Sequence, residues 1–389
     1  MTPRVAVVHP YLLPGGGSEA CAMWTVQALQ DDCRVTLVSM GRPDLQKLNE
    51  SCGTSVDRSK IELRSLAIPP GMRTRFDALR AGRVARYCRC HARAFDVMIS
   101  TYNIMDFSVP GIQWIADFSF DDDLRRELDA KSGAAAGRLY GPSRARSIYL
   151  GLARGFAGQK GDGWKRNRTL ANSEWTRRLL EEKFGVASEV IYPPVAVEAS
   201  RIAWGEREDG FVVMGRLVPE KGIGLVIDIL TEVRKVRPMH LHILGRRSRA
   251  GYAREIEALC RKNRDWVHLE GEVYGPEKQK LLAGHKYGLS GCYQEAFGIA
   301  VAEMVKSGAI VWVPDGGGQT EIVADAGLIY SDRDDAVARI LAVVGDPVRE
   351  SDLRGRLDGR ASVFSSARSV SAMRAVVHDF LKEGKGRGE

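Results

Sequence analysis

The sequence predicts an α/β protein made of two Rossmann-like domains in tandem, each a parallel sheet flanked by helices. Three observations predict it. At 389 residues the chain is longer than one hydrophobic core ordinarily serves. Short, continuously apolar, β-branched runs alternate with helical patterns, as strands buried on both faces require. The order strand, glycine turn, helix that opens the chain at RVAVVHPYLLPGGGSEACAMW then starts again at GFVVMGRLVPEKGIGLVIDIL, beyond Pro193–Pro194. The domains are therefore expected at 1–195 and 196–366, with 367–389 a C-terminal helix that returns to the first domain and ends in a frayed polar tail.

In the first half, RVAVVHPYL, CRVTLVSM, KIELRSLAI, FDVMISTY and VPGIQWIA read as buried strands. RTLANSEWTRRLLEEKFG reads as a strand, an N-cap at Asn172 or Ser173, a helix, and a C-cap at Gly185. In the second half, MHLHILGRR, WVHLEGEV, KYGLSGCY, AIVWVPD and GLIYS continue as short strands separated by helices.

Composition narrows the class. No run of 18 apolar residues suggests a transmembrane helix, and the N-terminal segment is a poor signal peptide that leads straight into a strand. Seven scattered cysteines, an odd number, fit reduced thiols and a cytoplasmic setting. Cys88 and Cys90 have no matching second pair, so a zinc site is not expected. The net charge of +8 is uneven: seven arginines lie between Arg73 and Arg93 against one acid, Asp77. As a helix this run has an apolar stripe of Phe76, Leu79, Val84 and Tyr87, suited to an anionic membrane surface or, alternatively, to simple solvation. Without zinc-finger spacing or an aromatic RNA-binding motif, nucleic acid is not an expected partner.

Four clusters carry chemistry, each at the carboxyl end of an expected strand, where open parallel sheets bind ligands. Gly15, Gly16 and Gly17 follow the first strand, with Glu19 entering the helix. They either admit a ligand close to the backbone or merely close a βα turn. In GRLVPEKG, Arg216 and Lys221 flank a turn between Gly215 and Gly222, and together suit a diphosphate. In GCYQEAFGIAVAE, Glu295 lies in the loop leaving a strand and Gly298 opens a helix. Glu303 then falls little more than one turn inside that helix. A carboxylate in so apolar a segment needs a partner. Glu303 could accept two ribose hydroxyls, the N–H groups of Phe297, Gly298 and Ile299 could face phosphates, and Glu295 could reach a sugar. Two unrelated surface glutamates are the alternative. Last, Gly316–Gly318 in PDGGGQTEIV make a further glycine turn, with Glu321 entering a helix. The acidic stretch DFSFDDD (117–123) reads as an N-cap and acidic first turn, rather than as a metal-binding D-x-D motif.

Taken together, GGGSE, NSEWT, YPPV, GRLVPEKG, EAFGIAVAE and GGGQTEIV resemble, in order and over nearly the whole chain, the retaining GT4-type glycosyltransferases of GT-B fold. The YPPV and FGI elements look closest to the branch of lipid-linked-oligosaccharide mannosyltransferases. The resemblance implies two domains facing each other across a cleft, a UDP- or GDP-sugar as co-substrate, no metal and no further cofactor. It implies a glycan acceptor, while the arginine run at 73–93 suggests peripheral attachment at the inner face of an anionic membrane and a lipid-linked acceptor. Arg216 and Lys221 would hold the diphosphate and Glu295 the sugar near its reacting carbon. Glu303 would hold the ribose, Gly16 and Gly17 would line the cleft, and Gly215, Gly245 and Val273 would lie by the nucleotide. The sequence departs from the family in one place. The histidine many relatives carry after the fourth or fifth strand is absent from GIQWIADFSF, leaving Asp117 and Gln113, or His9 after the first strand, as candidates. A nucleotide-sugar epimerase on the same fold, a glycan phosphorylase, or a non-catalytic nucleotide-sugar binder are the rival readings. The phosphorylase would need more chain and a pyridoxal lysine.

Overall fold

The computed structural model describes residues 2–13, 15–68, 76–131, 144–159, 161–247 and 251–386, and it divides into two compact units. The first takes in residues up to Asp122, 141 to Pro194, and Ser366 onward. The second runs from Val195 to Ser365 together with the stretch that begins at Asp123.

The strands of the first unit are β1 (Arg4–Val8), β2 (Arg34–Met40), β3 (Ile61–Leu66), β4 (Val97–Ser100), β5 (Ile112–Ile115), β6 (Arg168–Ala171) and β7 (Glu189–Val190). Among the described residues they form a parallel sheet in the order β3-β2-β1-β4-β5-β6-β7, which reverses direction between β1 and β4. The helices are α1 (Gly17–Leu29), α2 (Leu45–Cys52), α3 (Asp77–His91), α4 (Asp122–Lys131), which leaves the unit, α5 (Arg144–Ala157) and α6 (Glu174–Phe184). The cap of α6 is Ser173, whose Oγ accepts from the Thr176 N–H at 3.0 Å, and Gly185 ends it at φ +63°. Asn172 instead donates to the Ala116 carbonyl at 2.8 Å.

In the second unit the strands are β8 (Glu208–Met214), β9 (His240–Leu244), β10 (Val267–Gly271), β11 (His285–Leu289), β12 (Ile310–Pro314) and β13 (Ile329–Tyr330). Their parallel order is β10-β9-β8-β11-β12-β13, with its reversal between β8 and β11. The helices are α7 (Ile223–Val233), α8 (Gly251–Lys262), α9 (Gly275–Gly284), α10 (Ile299–Lys306), α11 (Gln319–Val323), α12 (Arg333–Leu341) and α13 (Pro347–Ala361). Buried Phe211, Tyr287 and Trp312 from three adjacent strands meet at ring distances of 5.3–6.0 Å. In such a doubly wound sheet the ligand crevice opens at the carboxyl ends of the two strands where the order reverses.

The last helix, α14 (Ser366–Gly386), belongs to the first unit, where Met373, Val376 and Val377 join the core cluster containing Met23 and Val26 of α1. It continues five residues past Leu381, through a segment expected to fray, because the polar KEGKG does not interrupt its hydrogen-bonding pattern. The arginine-rich segment also differs from expectation. Arg73 and Arg75 lie outside the described residues, and α3 begins after Phe76, which sits exposed at φ +61°. Val84 and Ala85 are spent in the core, and Gly82 approaches α5 closely enough that a Cβ would lie 3.0 Å from the Ala153 carbonyl. The apolar side of α3 is therefore covered.

Candidate nucleotide-sugar site

Residues following β8 and β11 meet at the reversal of the second sheet. After β8, the Gly215 N–H donates to the Leu244 carbonyl at 2.9 Å, and the chain passes through a helical turn, Pro219–Lys221. Gly222 then takes φ +59°, a left-handed conformation that glycine adopts without strain. Its α-carbon faces the turn after β11 so closely that a Cβ would stand 2.2 Å from the Gly291 carbonyl oxygen, so both positions exclude side chains. This contact sets Lys221 beside Glu295, and its ammonium donates to the Glu295 carboxylate. Both side chains are about a quarter exposed, at 24% and 25%. Burial alone would lower the Lys221 pKa, but Glu295, with Cys292, outweighs it and holds the amine above its ordinary value. Burial and the same carboxylate push the Cys292 thiol up to about 12, so it is an inert neighbour.

Gly298 caps α10 at φ +102°, and the Ala302 N–H closes the first turn on its carbonyl at 3.0 Å. The N–H groups of Ile299, Ala300 and Val301 thus stand at a helix terminus without intrahelical acceptors, the position that binds anions. Glu303 lies one turn further and accepts from Lys278 of α9 at 2.7 Å, in a pair only 13% and 17% exposed. Arg216 is exposed and makes no side-chain hydrogen bond or ion pair among the described residues. Its charge faces Lys221, where it opposes the pull of Glu295. Gly245 and Val273 leave the ends of β9 and β10, and the Gly245 N–H donates to Gly271 at 2.7 Å.

Two residues here escaped the sequence reading. Lys278 has no motif around it, and only the packing of α9 brings it to Glu303. Gln319 is fully buried behind the glycine turn. Its Oε1 accepts from Ser290 Oγ at 2.8 Å, and its amide donates to the carbonyls of Cys292 and Gly316. Gly317, at φ +75°, lies so near the Glu295 backbone that a Cβ would be 2.2 Å from its oxygen, and the Gly318 N–H donates to that oxygen at 2.8 Å. The third glycine turn therefore fixes the loop carrying Glu295.

In the first unit the candidates also lie at the carboxyl edge of the sheet. Gly16 caps α1 and is covered by the Glu19 carboxylate, since a Cβ on Gly16 would stand 1.8 Å from Glu19 Oε2. Gly17 is exposed. Asp117 accepts from Asn103 Nδ2 at 2.7 Å and from the Ser119 N–H at 2.8 Å, and the neighbouring acids begin α4 as expected. His9 is 2% exposed, and neither ring nitrogen finds a well-aligned partner among the described residues. Burial pushes its pKa down to about 3, so it is a neutral ring. Gln113 is a correction. It is fully buried, with its oxygen accepting from Met105 and Asn167 and its amide donating to Thr169, and no capacity faces outward.

This architecture, two doubly wound parallel units, is the GT-B fold. Residues 208–346 match the family described as Glycosyl transferases group 1. That match lies within the second unit, whose sequence is thus similar to the group 1, or GT4-type, glycosyltransferases. Two relatives are GDP-Man:Man(3)GlcNAc(2)-PP-Dol alpha-1,2-mannosyltransferases. The one from Neurospora crassa is 27% identical over 58% of this chain and 47% of its own. That from Dictyostelium discoideum is 24% identical over 42% of this chain and 37% of its own. The matches thus span less than half the length of either relative. Among solved structures, Anabaena Alr3699/HepE in complex with UDP and glucose superposes with a TM-score of 0.68 at 14% identity, covering 97% of this chain and 99% of that one.

Proposed function

We propose that the chain is a retaining glycosyltransferase that takes a sugar from a UDP- or GDP-sugar and passes it to a glycan or lipid-linked acceptor, with no metal at the donor site. The observation that carries this is the pair of lysine–carboxylate contacts, Lys221–Glu295 and Lys278–Glu303, on either side of the α10 N-terminus. A diphosphate placed at that terminus would meet Lys221, Arg216 and free N–H groups, which together stabilise the negative charge that develops as it leaves. Glu303, held by Lys278, keeps lone pairs for a ribose. Glu295 exchanges part of its contact with Lys221 for hydroxyls of the sugar, and backbone at Gly245 and Val273 borders the base. The names of the mannosyltransferase relatives and of the UDP-bound neighbour support a nucleotide-sugar donor.

A thermal-shift series with UDP, GDP, ADP, dTDP and CDP and their sugar conjugates, each with and without EDTA, tests the donor reading. A ligand at a hundredfold excess over its Kd stabilises by about 2.7 kcal/mol. The expected result is a shift with UDP or GDP compounds whose size EDTA does not alter, each compared with its own baseline. No shift with any nucleotide removes the reading.

For the acceptor, the first unit presents a surface suited to an anionic membrane at the cytoplasmic face. Ile148, Leu152 and Phe156, at helical spacing on α5, are 64%, 66% and 44% exposed. Exposed Arg83, Arg86 and Arg154 lie on α3 and α5, and Arg86 stands over the Phe156 ring at 5.6 Å. The helix set to enter a bilayer surface is thus α5, with α3 supplying charge. No helix among the described residues is long and apolar enough to cross a membrane. Each large apolar side chain buried contributes about 1.5–3 kcal/mol. The double variant Ile148→Glu/Leu152→Glu is therefore expected to lower co-sedimentation with phosphatidylglycerol vesicles by at least about tenfold. Unchanged binding, or equal binding to neutral phosphatidylcholine, would discard the surface.

A further inference from the structure

Four of the chain's seven histidines gather on one face of the second sheet, at its amino-terminal edge and so at the opposite end from Lys221 and Glu295. In β9 the sequence His240-Leu241-His242 puts both imidazoles on the same face, since side chains alternate along a strand. Register adds the rest. His268 of β10 lies beside His242, Gly210 of β8 beside His240, and His285 of β11 beside Glu208. One ring nitrogen from each of His240, His242 and His285 lies within 4.8 Å of the others.

The hydrogen bonds fix how two of these rings present themselves. His285 Nδ1 faces the Leu281 carbonyl at 2.7 Å, and a carbonyl can only accept, so Nδ1 carries the proton and Nε2 offers a lone pair. His242 Nδ1 faces Glu270 Oε1 at 2.7 Å, which likewise turns a basic Nε2 away from the carboxylate. This is how metal-ligating histidines are held, with the outer nitrogen on a carbonyl or carboxylate. Between them, His240 Nε2 lies 3.1 Å from His285 Nε2 and 3.3 Å from Glu208 Oε2. A tetrahedral zinc ion with bonds of about 2.0–2.1 Å separates its ligand atoms by about 3.3 Å. Those two separations already match. Gly210 makes room, because a Cβ there would sit 2.3 Å from His240 Nε2.

We propose that His240, His242, His285 and Glu208 bind a divalent transition-metal ion, Zn²⁺ by preference, as a structural clip joining β8, β9 and β11. Three imidazoles and one carboxylate are a zinc-type donor set, and four protein ligands close the site. The clip is separate from the donor site, so it does not depend on the function proposed above. Without an ion, the same groups share a single proton between His240 and either His285 or Glu208, and the experiment separates the two states.

The untagged full chain, stripped with chelator and dialysed, is titrated with Zn²⁺ against a chromophoric competitor. The expected result is one saturable equivalent, a rise in Tm on binding, and, with Co²⁺, the intense visible absorption of tetrahedral coordination. The double variant His240→Gln/His242→Gln, at partly exposed positions, is expected to lose both the equivalent and the absorption while keeping the wild-type circular dichroism spectrum. His378→Gln, at an exposed position on α14, retains them. Should the double variant fail to fold, Glu208→Gln, whose side chain is 64% exposed, is expected to weaken Zn²⁺ binding and to change the Co²⁺ spectrum. No saturable Zn²⁺ binding by the wild-type chain, or binding that these variants leave intact, overturns the site.

Discussion

Replacing Glu295 by glutamine is expected to lower kcat by about 10²–10³-fold, the range seen when one preorganised electrostatic contact is removed from a transition state. The substitution keeps volume and hydrogen-bonding reach but removes the charge. Glu295 accepts from Lys221, and its backbone is fixed by Gly317 and Gly318, so the loop should hold its place. Lys221, released from its carboxylate, then faces the diphosphate with its full charge. Nucleotide affinity should therefore be retained or improved while turnover falls. Steady-state kinetics beside calorimetric nucleotide titration reads both. A raised Kd with unchanged kcat would mean that Glu295 serves donor binding alone. The rival epimerase would turn over donor with no acceptor present, and a non-catalytic binder would show no turnover in the wild-type chain at all.

The second large effect is expected at Lys221. The Lys221→Met variant should lose about 10²-fold in affinity for the nucleoside diphosphate, or about 2–3 kcal/mol, through two additive causes. The cation that would meet the phosphates is gone, and Glu295 is left unpaired in a site only about a quarter exposed, at 25%. Its negative charge then opposes the diphosphate. Removing one partner of such a pair costs more than removing both. Lys221→Met/Glu295→Gln should accordingly be more stable to heat than Lys221→Met alone, and should recover part of the nucleotide affinity. Thermal unfolding and titration of all four forms closes the cycle. Strict additivity would show that the contact between the two side chains contributes nothing.

Much of this fold was legible beforehand because its signals are local. Buried parallel strands are continuous apolar runs, and both sheets formed where those runs lie. Strand ends were less legible: WVHLEGEV yields a strand only from Val267 to Gly271, because Gly271 takes φ +77° and ends the ladder. The glycine turns were visible as sequence, and three of their reasons are now physical. Gly222 meets Gly291 backbone to backbone, Gly245 meets Gly215, and Gly317 meets the Glu295 peptide. The exposed apolar side chains did not fall where the sequence drew attention. The arginine run drew attention to α3, whereas Ile148, Leu152 and Phe156 on α5 remain exposed, a difference set by which helix face packs inward.

The sequence by itself determined the two-unit α/β plan, the sharp turns after β8 and β11, and the placement of Glu295 and Glu303 around a helix start. Each depends on residues within one element or one turn, where periodicity and backbone preference act directly. Tertiary structure alone decided that Lys278 would hold Glu303 across 25 residues and Gln319 would brace Ser290 across 29. It also brought His240 to His285 across 45. Those contacts join separate strands and helices, and their energies arise only after packing has removed water from between them.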